Sequence, residues 1–246
     1  MNNLPTIEIL GIPVHPLAMS EAVAYLVDRV KQKLVTNVVT ANAEIIMLGQ
    51  RDPDYKKILQ AAECVLPDGA GTVWAGRTLG FAVPERVAGF DLFLNLVKTA
   101  PEHAFKIYFF GASPGIAELA KKKCEEFAPG VQIVGCRNGY FTAEDVPQII
   151  NDINQSGADI LFVALGAPKQ EYWLRDNQEL LKPYLRIGLG GSFDVLAGKM
   201  ARAPKWMQEA SLEWLFRLYK DPSRLGRMIV LPKFVLKVLT AKYSGK

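Results

Sequence analysis

The stretch AECVLPDGAGTVWAGR, residues 62–77, carries the pattern that decides the fold class of this chain. Its apolar run, residues 64–66, predicts a buried strand, and the residues near 71–79 predict a helix. Between them, the Pro-Asp-Gly sequence around Asp68 predicts a turn. Such turns are common whatever a protein does, so this segment alone favours a simple turn. Only the surrounding sequence indicates why a strand places a carboxylate at its end.

The same succession of apolar strand and helix repeats along the chain. Further strands are predicted in the segments LVTNVVTAN, FKIYFFG, VQIVGC, DILFVALG and LRIGLGG, with helical segments between them. Strands that are continuously apolar and alternate with helices are typical of a parallel sheet buried on both sides. We therefore predict an α/β fold in which a Rossmann-like, mostly parallel sheet is covered by helices on both faces.

The net charge of +4 is divided unevenly along the chain. From residue 199 onward, eleven Lys and Arg stand against three Asp and Glu, a balance of +8, whereas the first 198 residues hold eighteen against twenty-two, a balance of −4. We predict an α/β domain over residues 1–198 and a basic, amphipathic, helical appendage over residues 199–246. Such an asymmetry suggests an anionic partner. In the appendage we expect an apolar stripe on a helix that Pro232 kinks, formed by Met228, Leu231, Val235 and Leu239.

Composition excludes several classes of protein. Half of the residues are hydrophobic, so a sizeable core is available and wholesale disorder is excluded. We expect no signal peptide and no membrane-spanning helix, because no segment has the charge pattern of the former or the ~20 apolar residues of the latter. The three cysteines and two histidines are far apart, which argues against a disulfide framework or a zinc site and for a reducing cytoplasm.

Ligands of parallel α/β sheets bind beyond the carboxyl ends of the strands. The residues expected at that edge are Thr40, Asn42 and Asp68 together with residues 111–115, 138–140, 166–170 and 188–194. Asp68 is then one of several polar groups that face a common crevice.

Two glycine-rich segments at this edge are candidates for nucleotide binding. In GASPG, residues 111–115, amides around Gly111 and Ser113 either hold a phosphate at a helix start or form a tight turn. The second segment, GLGGSFD, lacks the third glycine of a dinucleotide fingerprint, which disfavours a dehydrogenase. It is compatible with a mononucleotide, which would contact Gly190, Gly191 and Asp194 and stack on Tyr140. The alternative is that Ser192 merely caps the next helix.

The remaining motifs do not indicate a metal or a catalytic triad. Gln170, in LGAPKQE, lies in the first turn of a helix, where helix initiation and ligand contact explain it equally well. Asp52 and Asp54 are spaced like the acid pair by which many sugar transferases hold a metal, but their place at a helix start favours capping. Ser192 has no evident histidine partner. We therefore expect neither a metal nor a cofactor.

Seven segments, in this order, resemble one family. They are VVTANAEII, VLPDGAGTVWAGR, ERVAGFDL, FFGASPG, NGYF, ILFVALGAPKQE and GGSFDVLAGKMARAP. Together they are similar to the WecG/TagA/CpsF bacterial glycosyltransferases, glycosyltransferase family 26. The resemblance runs from about residue 10 to the end of the chain, and the basic appendage looks most like that of the TagA-type members.

The resemblance implies an inverting glycosyltransferase that is independent of metal. TagA-type members transfer N-acetylmannosamine from its UDP donor to undecaprenyl-diphosphate-linked N-acetylglucosamine, which starts the linkage unit of wall teichoic acid. The expected partners are a UDP-sugar, this lipid-linked acceptor and an anionic membrane surface, with no nucleic acid; a homo-oligomer is left open. We expect a cytoplasmic protein, peripheral on the inner face of the membrane, whose last helix docks on lipid rather than on its own core.

The resemblance also implies roles for individual residues. The catalytic base of the family falls on Asp68. Its other active-site residues fall on Thr40, Asn42, Arg86 and Gln170, and its tail arginines match Arg217, Arg224 and Arg227. The choice of sugar rests on resemblance alone. N-acetylmannosaminuronic acid or glucose as the transferred sugar, and a non-catalytic module that binds nucleotide sugar or lipid phosphate, therefore remain alternatives.

Overall fold

The computed structural model describes residues 4–209, 212–220 and 229–244, apart from the side chains of Glu209 and Arg217. Its strands are β1 (Ile7–Ile9), β2 (Ile12–Val14), β3 (Thr36–Ala41), β4 (Cys64–Pro67), β5 (Lys106–Gly111), β6 (Gln132–Arg137), β7 (Ile160–Ala164) and β8 (Leu185–Gly188). The first two strands form a small antiparallel hairpin. The other six form one sheet of order β4-β3-β8-β7-β5-β6, in which every pair is parallel. The predicted α/β fold is confirmed.

Helices connect the strands and cover the sheet. Their bounds are α1 (Met19–Lys31), α2 (Ala43–Gly49), α3 (Pro53–Ala61), α4 (Gly69–Thr78), α5 (Gly89–Thr99), α6 (Ile116–Phe127), α7 (Val146–Gln155), α8 (Lys169–Asn177), α9 (Ser192–Leu196), α10 (Lys205–Glu209), α11 (Glu213–Lys220) and a C-terminal helix (Val230–Tyr243). Asp52 caps α3, where its Oδ1 accepts from the amides of Asp54 and Tyr55 at 3.0 and 3.1 Å. The Asp52 and Asp54 pair is thus a helix cap, as predicted.

Both faces of the sheet are buried, and the alternation of side chains along β5 shows how. Ile107 and Phe109 point into a core that includes α1, α5 and α6. Tyr108 and Phe110 point to the opposite face, into a core shared with α7 and α8. Because successive side chains of a strand point to opposite faces, a strand that is apolar throughout requires a cover on each side.

The order of the strands decides which of their ends are neighbours. Although β8 comes last in the sequence, it lies in the middle of the sheet between β3 and β7. The carboxyl ends of β4, β3, β8 and β7 are therefore adjacent, whereas those of β5 and β6 lie toward the other edge.

The C-terminal helix packs on the core of the α/β domain, so the expectation that it does not dock on its own core is wrong, whereas its contact with lipid stays a prediction. Val230, Phe234 and Val238 are buried against a cluster that includes residues of α2 and α4. The Phe234 ring lies close to Gly71, 3.7 Å from where a Cβ of that residue would be, which is an ordinary packing distance. Burial of an apolar stripe of this kind is the usual reason for a helix to pack on a core.

The apolar stripe that the sequence predicts for lipid contact is not the one that packs on the core. Leu231 and Leu239 are half-buried and Val235 is exposed, while Met228 lies outside the described residues. The sequence has apolar residues around most of this helix, and the stripe that packs is offset from the predicted one. Pro232 lies in the first turn of the helix, where no earlier residue needs its missing amide hydrogen, so the predicted kink has no cause there.

Candidate active site

A crevice of about 370 Å³ lies at the carboxyl ends of β4, β3, β8 and β7. It brings together six of the fourteen predicted site residues: Thr40, Asn42, Asp68, Gln170, Gly190 and Gly191. Beside it, a second pocket of about 610 Å³ is lined by Ser113, Tyr140 and Asp194. Leu165 lines both spaces and marks the border between them.

Asp68 stands at the start of two helices. It is the residue before α4, and its Oδ2 accepts a hydrogen bond from the amide of Gly89, the first residue of α5, at 3.3 Å. Its own amide donates to the carbonyl of Ala41 at 3.0 Å, which ties the turn to β3. Because helix N-termini carry partial positive charge, this position favours an ionised carboxylate at the crevice wall.

Thr40 and Asn42 are held by the neighbouring backbone. A Cβ on Gly89 would lie 2.8 Å from Thr40 Oγ1, so only glycine fits at the start of α5 with Thr40 in this place. Asn42 caps α2, where its Oδ1 accepts from the amide of Ile45 at 3.0 Å. Since that oxygen is already used, a ligand contact of Asn42 falls to its amide nitrogen.

Gln170 is buried, and both ends of its amide are used inside the protein. Its Oε1 accepts from the amide of Gly190 at 2.9 Å, and its Nε2 donates to Glu171 Oε1 at 2.7 Å. A Cβ on Gly188 would lie 2.5 Å from Gln170 Nε2, so the side chain packs directly on the backbone of β8. Gln170 lines the crevice and holds the turn that follows β8.

Charged pairs attach the segment after residue 198 to the crevice. Arg86 Nη1 lies 3.2 Å from Glu213 Oε2 on α11, so the guanidinium expected at the site faces a carboxylate of the appendage. Arg202 Nη2 lies 2.7 Å from Asp91 Oδ2, and its guanidinium stacks 4.8 Å above the Phe90 ring. Arg202 and Glu213 both line the crevice.

Two of these residues, Arg202 and Glu213, are not predicted as site residues from the sequence. Arg202 belongs to the segment GGSFDVLAGKMARAP, which carries the family resemblance, and this was a signal for it. Glu213 has no such signal, because only the packing of α11 brings it to Arg86.

The residues that the sequence predicts at one nucleotide site are divided between the crevice and the second pocket. Tyr140 follows β6 at the edge of the sheet, whereas Gly190 and Gly191 follow the central strand β8 and line the crevice. Lys199 Nζ lies 3.6 Å from Asp194 Oδ1 and 3.1 Å from Ser113 Oγ, which places a cation at the mouth of this pocket.

Gly111 does not line either space. Its φ is +133°, and a Cβ there would lie 2.4 Å from the carbonyl oxygen of Ala164, so close backbone packing accounts for this glycine. Helix α6 begins only at Ile116, and the amide of Ala112 donates to Ala164 O at 2.8 Å. The sequence left a phosphate site and a tight turn open for this glycine-rich segment, and the surroundings of Gly111 favour the tight turn.

Three predicted tail residues have no described side chain. Arg217 lies on α11, with its side chain outside the description, and Arg224 and Arg227 fall outside the described residues. Within residues 4–209, 212–220 and 229–244, no three His, Cys, Asp or Glu side chains cluster as metal ligands. A helix of the length and apolarity needed to span a bilayer is likewise not found among those residues.

A parallel α/β sheet with polar side chains at its carboxyl edge places a ligand site there, and the match to a family of known proteins shows that this protein is a glycosyltransferase. Residues 7–246 match the glycosyl transferase WecG/TagA/CpsF family. The chain belongs to this family, which confirms the resemblance found in the sequence.

Two relatives are N-acetylglucosaminyldiphosphoundecaprenol N-acetyl-beta-D-mannosaminyltransferases of Bacillus species. The one from Bacillus spizizenii W23 is 38% identical over 203 residues, which are 82% of this chain and 78% of the relative. The one from Bacillus subtilis 168 is 35% identical over 217 residues, which are 88% of this chain and 84% of the relative.

Proposed function

We propose that this protein transfers N-acetylmannosamine from UDP-N-acetylmannosamine to undecaprenyl-diphosphate-linked N-acetylglucosamine, with a β-1,4 linkage, in the synthesis of the wall teichoic acid linkage unit. The names of both relatives support the acceptor and the sugar. The observation that carries the proposal is the Asp68 carboxylate at the start of two helices, in one crevice with Thr40 and Asn42.

Asp68 acts as the general base in this proposal. It removes the proton from the acceptor hydroxyl while that oxygen attacks the anomeric carbon from the face opposite UDP. The bond between this carbon and the UDP oxygen breaks, and its electron pair leaves with UDP. Attack from the far side inverts the anomeric centre, so an α-linked donor yields a β-glycoside.

The donor extends across both spaces. We place its uridine in the second pocket, between Tyr140 and Asp194, and its diphosphate and sugar in the crevice, with the diphosphate near Gly190 and Gly191. Leu165 lines both spaces, which supports this division. Charge-assisted hydrogen bonds from Arg86, released from Glu213, and from other cationic groups stabilise the departing diphosphate without a metal.

The acceptor is lipid-linked, so the protein works at the cytoplasmic face of the membrane as a peripheral protein. The C-terminal helix buries one stripe of apolar side chains and leaves another face exposed. Helix α11 also has apolar side chains that are exposed to solvent. The exposed residues are Trp214, Leu215 and Tyr219 on α11, and Lys233, Leu236 and Lys237 on the C-terminal helix. Each basic residue beside anionic lipid contributes ~1 kcal/mol, and the apolar side chains add burial in the interface.

Release of UDP tests this proposal. The protein is incubated with a lipid-linked N-acetylglucosamine analogue and, in parallel, with UDP-N-acetylmannosamine, UDP-N-acetylmannosaminuronic acid or UDP-glucose, with and without EDTA. We expect acceptor-dependent release from the first donor alone, unchanged by EDTA. Release from another donor would correct the sugar, and loss with EDTA would contradict the metal-free mechanism. Donor binding with no UDP release from any donor would point to a non-catalytic binding module.

A further inference from the structure

Two buried hydrogen bonds in series run from the crevice into the layer between α8 and α3. The amide of Gly190 donates to Gln170 Oε1, and Gln170 Nε2 donates to Glu171 Oε1. The side chains of Gln170 and Glu171 are only 3% and 4% exposed. Water therefore has little access to replace either partner.

Packing alone does not choose between the two orientations of the Gln170 amide, because its oxygen and nitrogen are nearly equal in size. The amide lies against the backbone of Gly188, which restrains where the side chain goes but not which end points where. A flipped amide would turn its nitrogen toward the N–H of Gly190, so that two donors would face each other. The amide of Gly190 and the acceptor on Glu171 therefore both favour the observed orientation.

The carboxyl of Glu171 is retained at this place despite an energetic cost. Its Oε2 faces the hydroxyl of Tyr55 on α3, and neither atom makes a hydrogen bond of standard geometry with any described residue. Burial raises the pKa of Glu171. Because a buried carboxyl without full hydrogen bonding destabilises the fold, an apolar side chain would serve packing better, and a role in the site explains the polar one.

We propose that Glu171 is a positioning residue for glycosyl transfer, whose carboxyl orients Gln170 and thereby fixes the Gly190 turn as a wall of the crevice. Gly190 has a φ of +56° and nothing within 4 Å of where its Cβ would lie, so this turn has few packing contacts of its own. Its position then depends in part on the hydrogen bond that its amide donates to Gln170. The inference deepens the proposed function, because the turn faces the donor.

The test compares substitutions at Glu171 by affinity for UDP, measured by calorimetry, and by KM and kcat for the donor. Glu171→Leu removes the acceptor, and we expect the Kd for UDP and the donor KM to rise by ~10-fold, the loss of one buried hydrogen bond of ~1.4 kcal/mol. Glu171→Gln keeps an oxygen for Gln170 Nε2 and turns its own nitrogen toward Tyr55, so it should restore the affinity. Asp176→Leu, on the exposed part of α8, is the matched control and should change neither constant.

Two further variants separate positioning from a general loss of structure. Glu171→Asp keeps a carboxyl but withdraws it by one methylene, so it should also weaken UDP binding, and it replaces Glu171→Leu in the test if that variant does not fold. The double variant Gln170→Leu with Glu171→Leu should bind UDP no more weakly than Gln170→Leu alone, because Glu171 acts through Gln170. Additive losses in this pair would overturn the proposal, as would unchanged UDP affinity in folded Glu171→Leu or Glu171→Asp. The UDP measurement needs no acceptor and no particular sugar, so it stands even if the proposed reaction fails.

Discussion

Replacing Phe234 with alanine measures how far the C-terminal helix contributes to the stability of the fold. The ring is 1% exposed and lies over Gly71, which has no side chain that could move into the gap. Truncation of a buried phenylalanine costs about 3–5 kcal/mol, from lost burial and from the cavity that remains. We expect a value in the middle of this range, ~4 kcal/mol.

The assay is urea-induced unfolding of the full chain, followed by circular dichroism. Leu236→Ala on the same helix is the control, because Leu236 is 66% exposed and its truncation should change the free energy of unfolding by no more than about 0.5 kcal/mol. Equal, small effects of the two substitutions would refute the packing described for this helix. A large effect of Phe234→Ala alone would show that the appendage is part of the folded core.

Three further predictions concern the site and the pH dependence of stability. Asp68→Asn should keep its affinity for UDP and lose turnover by ~10²–10⁴-fold, as expected for a general base, and near-normal kcat would remove Asp68 from that role. Gly89→Ala should lower kcat/KM, because its Cβ would press on Thr40 Oγ1 at 2.8 Å; a wild-type value would show that the position of Thr40 does not matter. Burial lowers the pKa of His15, whose Nδ1 accepts from the amide of Val65 at 2.9 Å, so its contribution to stability is present above about pH 6.5 and is lost as the pH falls through the folded-state pKa. Thermal unfolding at pH 5, 6 and 7 should thus show a drop on acidification that His15→Leu reduces, and identical slopes would contradict this assignment.

The sequence of the last helix does not show which of its faces packs on the core. Apolar residues occur on most of its faces, so several stripes satisfy the helical period equally well. Val230, Phe234 and Val238 form the stripe that packs, because α2 and α4 present apolar residues to it. A complementary surface elsewhere in the chain, and not the helix itself, selects the buried face.

The sequence alone determined the class of fold and the residues at the edge of the sheet. Continuous apolar strands alternating with helices require a parallel sheet that is covered by helices on both faces. The same pattern placed Thr40, Asn42 and Asp68 at strand ends. These inferences hold because hydrophobic periodicity and turn chemistry are local properties of the chain.

Only the tertiary structure decided which of those residues meet. The order β4-β3-β8-β7-β5-β6 brings Gly190 beside Thr40 and sends Tyr140 to the far edge. The salt bridge of Arg86 with Glu213 and the hydrogen bond of Gly190 to Gln170 likewise depend on contacts between residues that are far apart in the sequence. A helical crossover joins two parallel strands without recording in its own residues how many other strands lie between them, so this order arises only when all the covering helices pack at once.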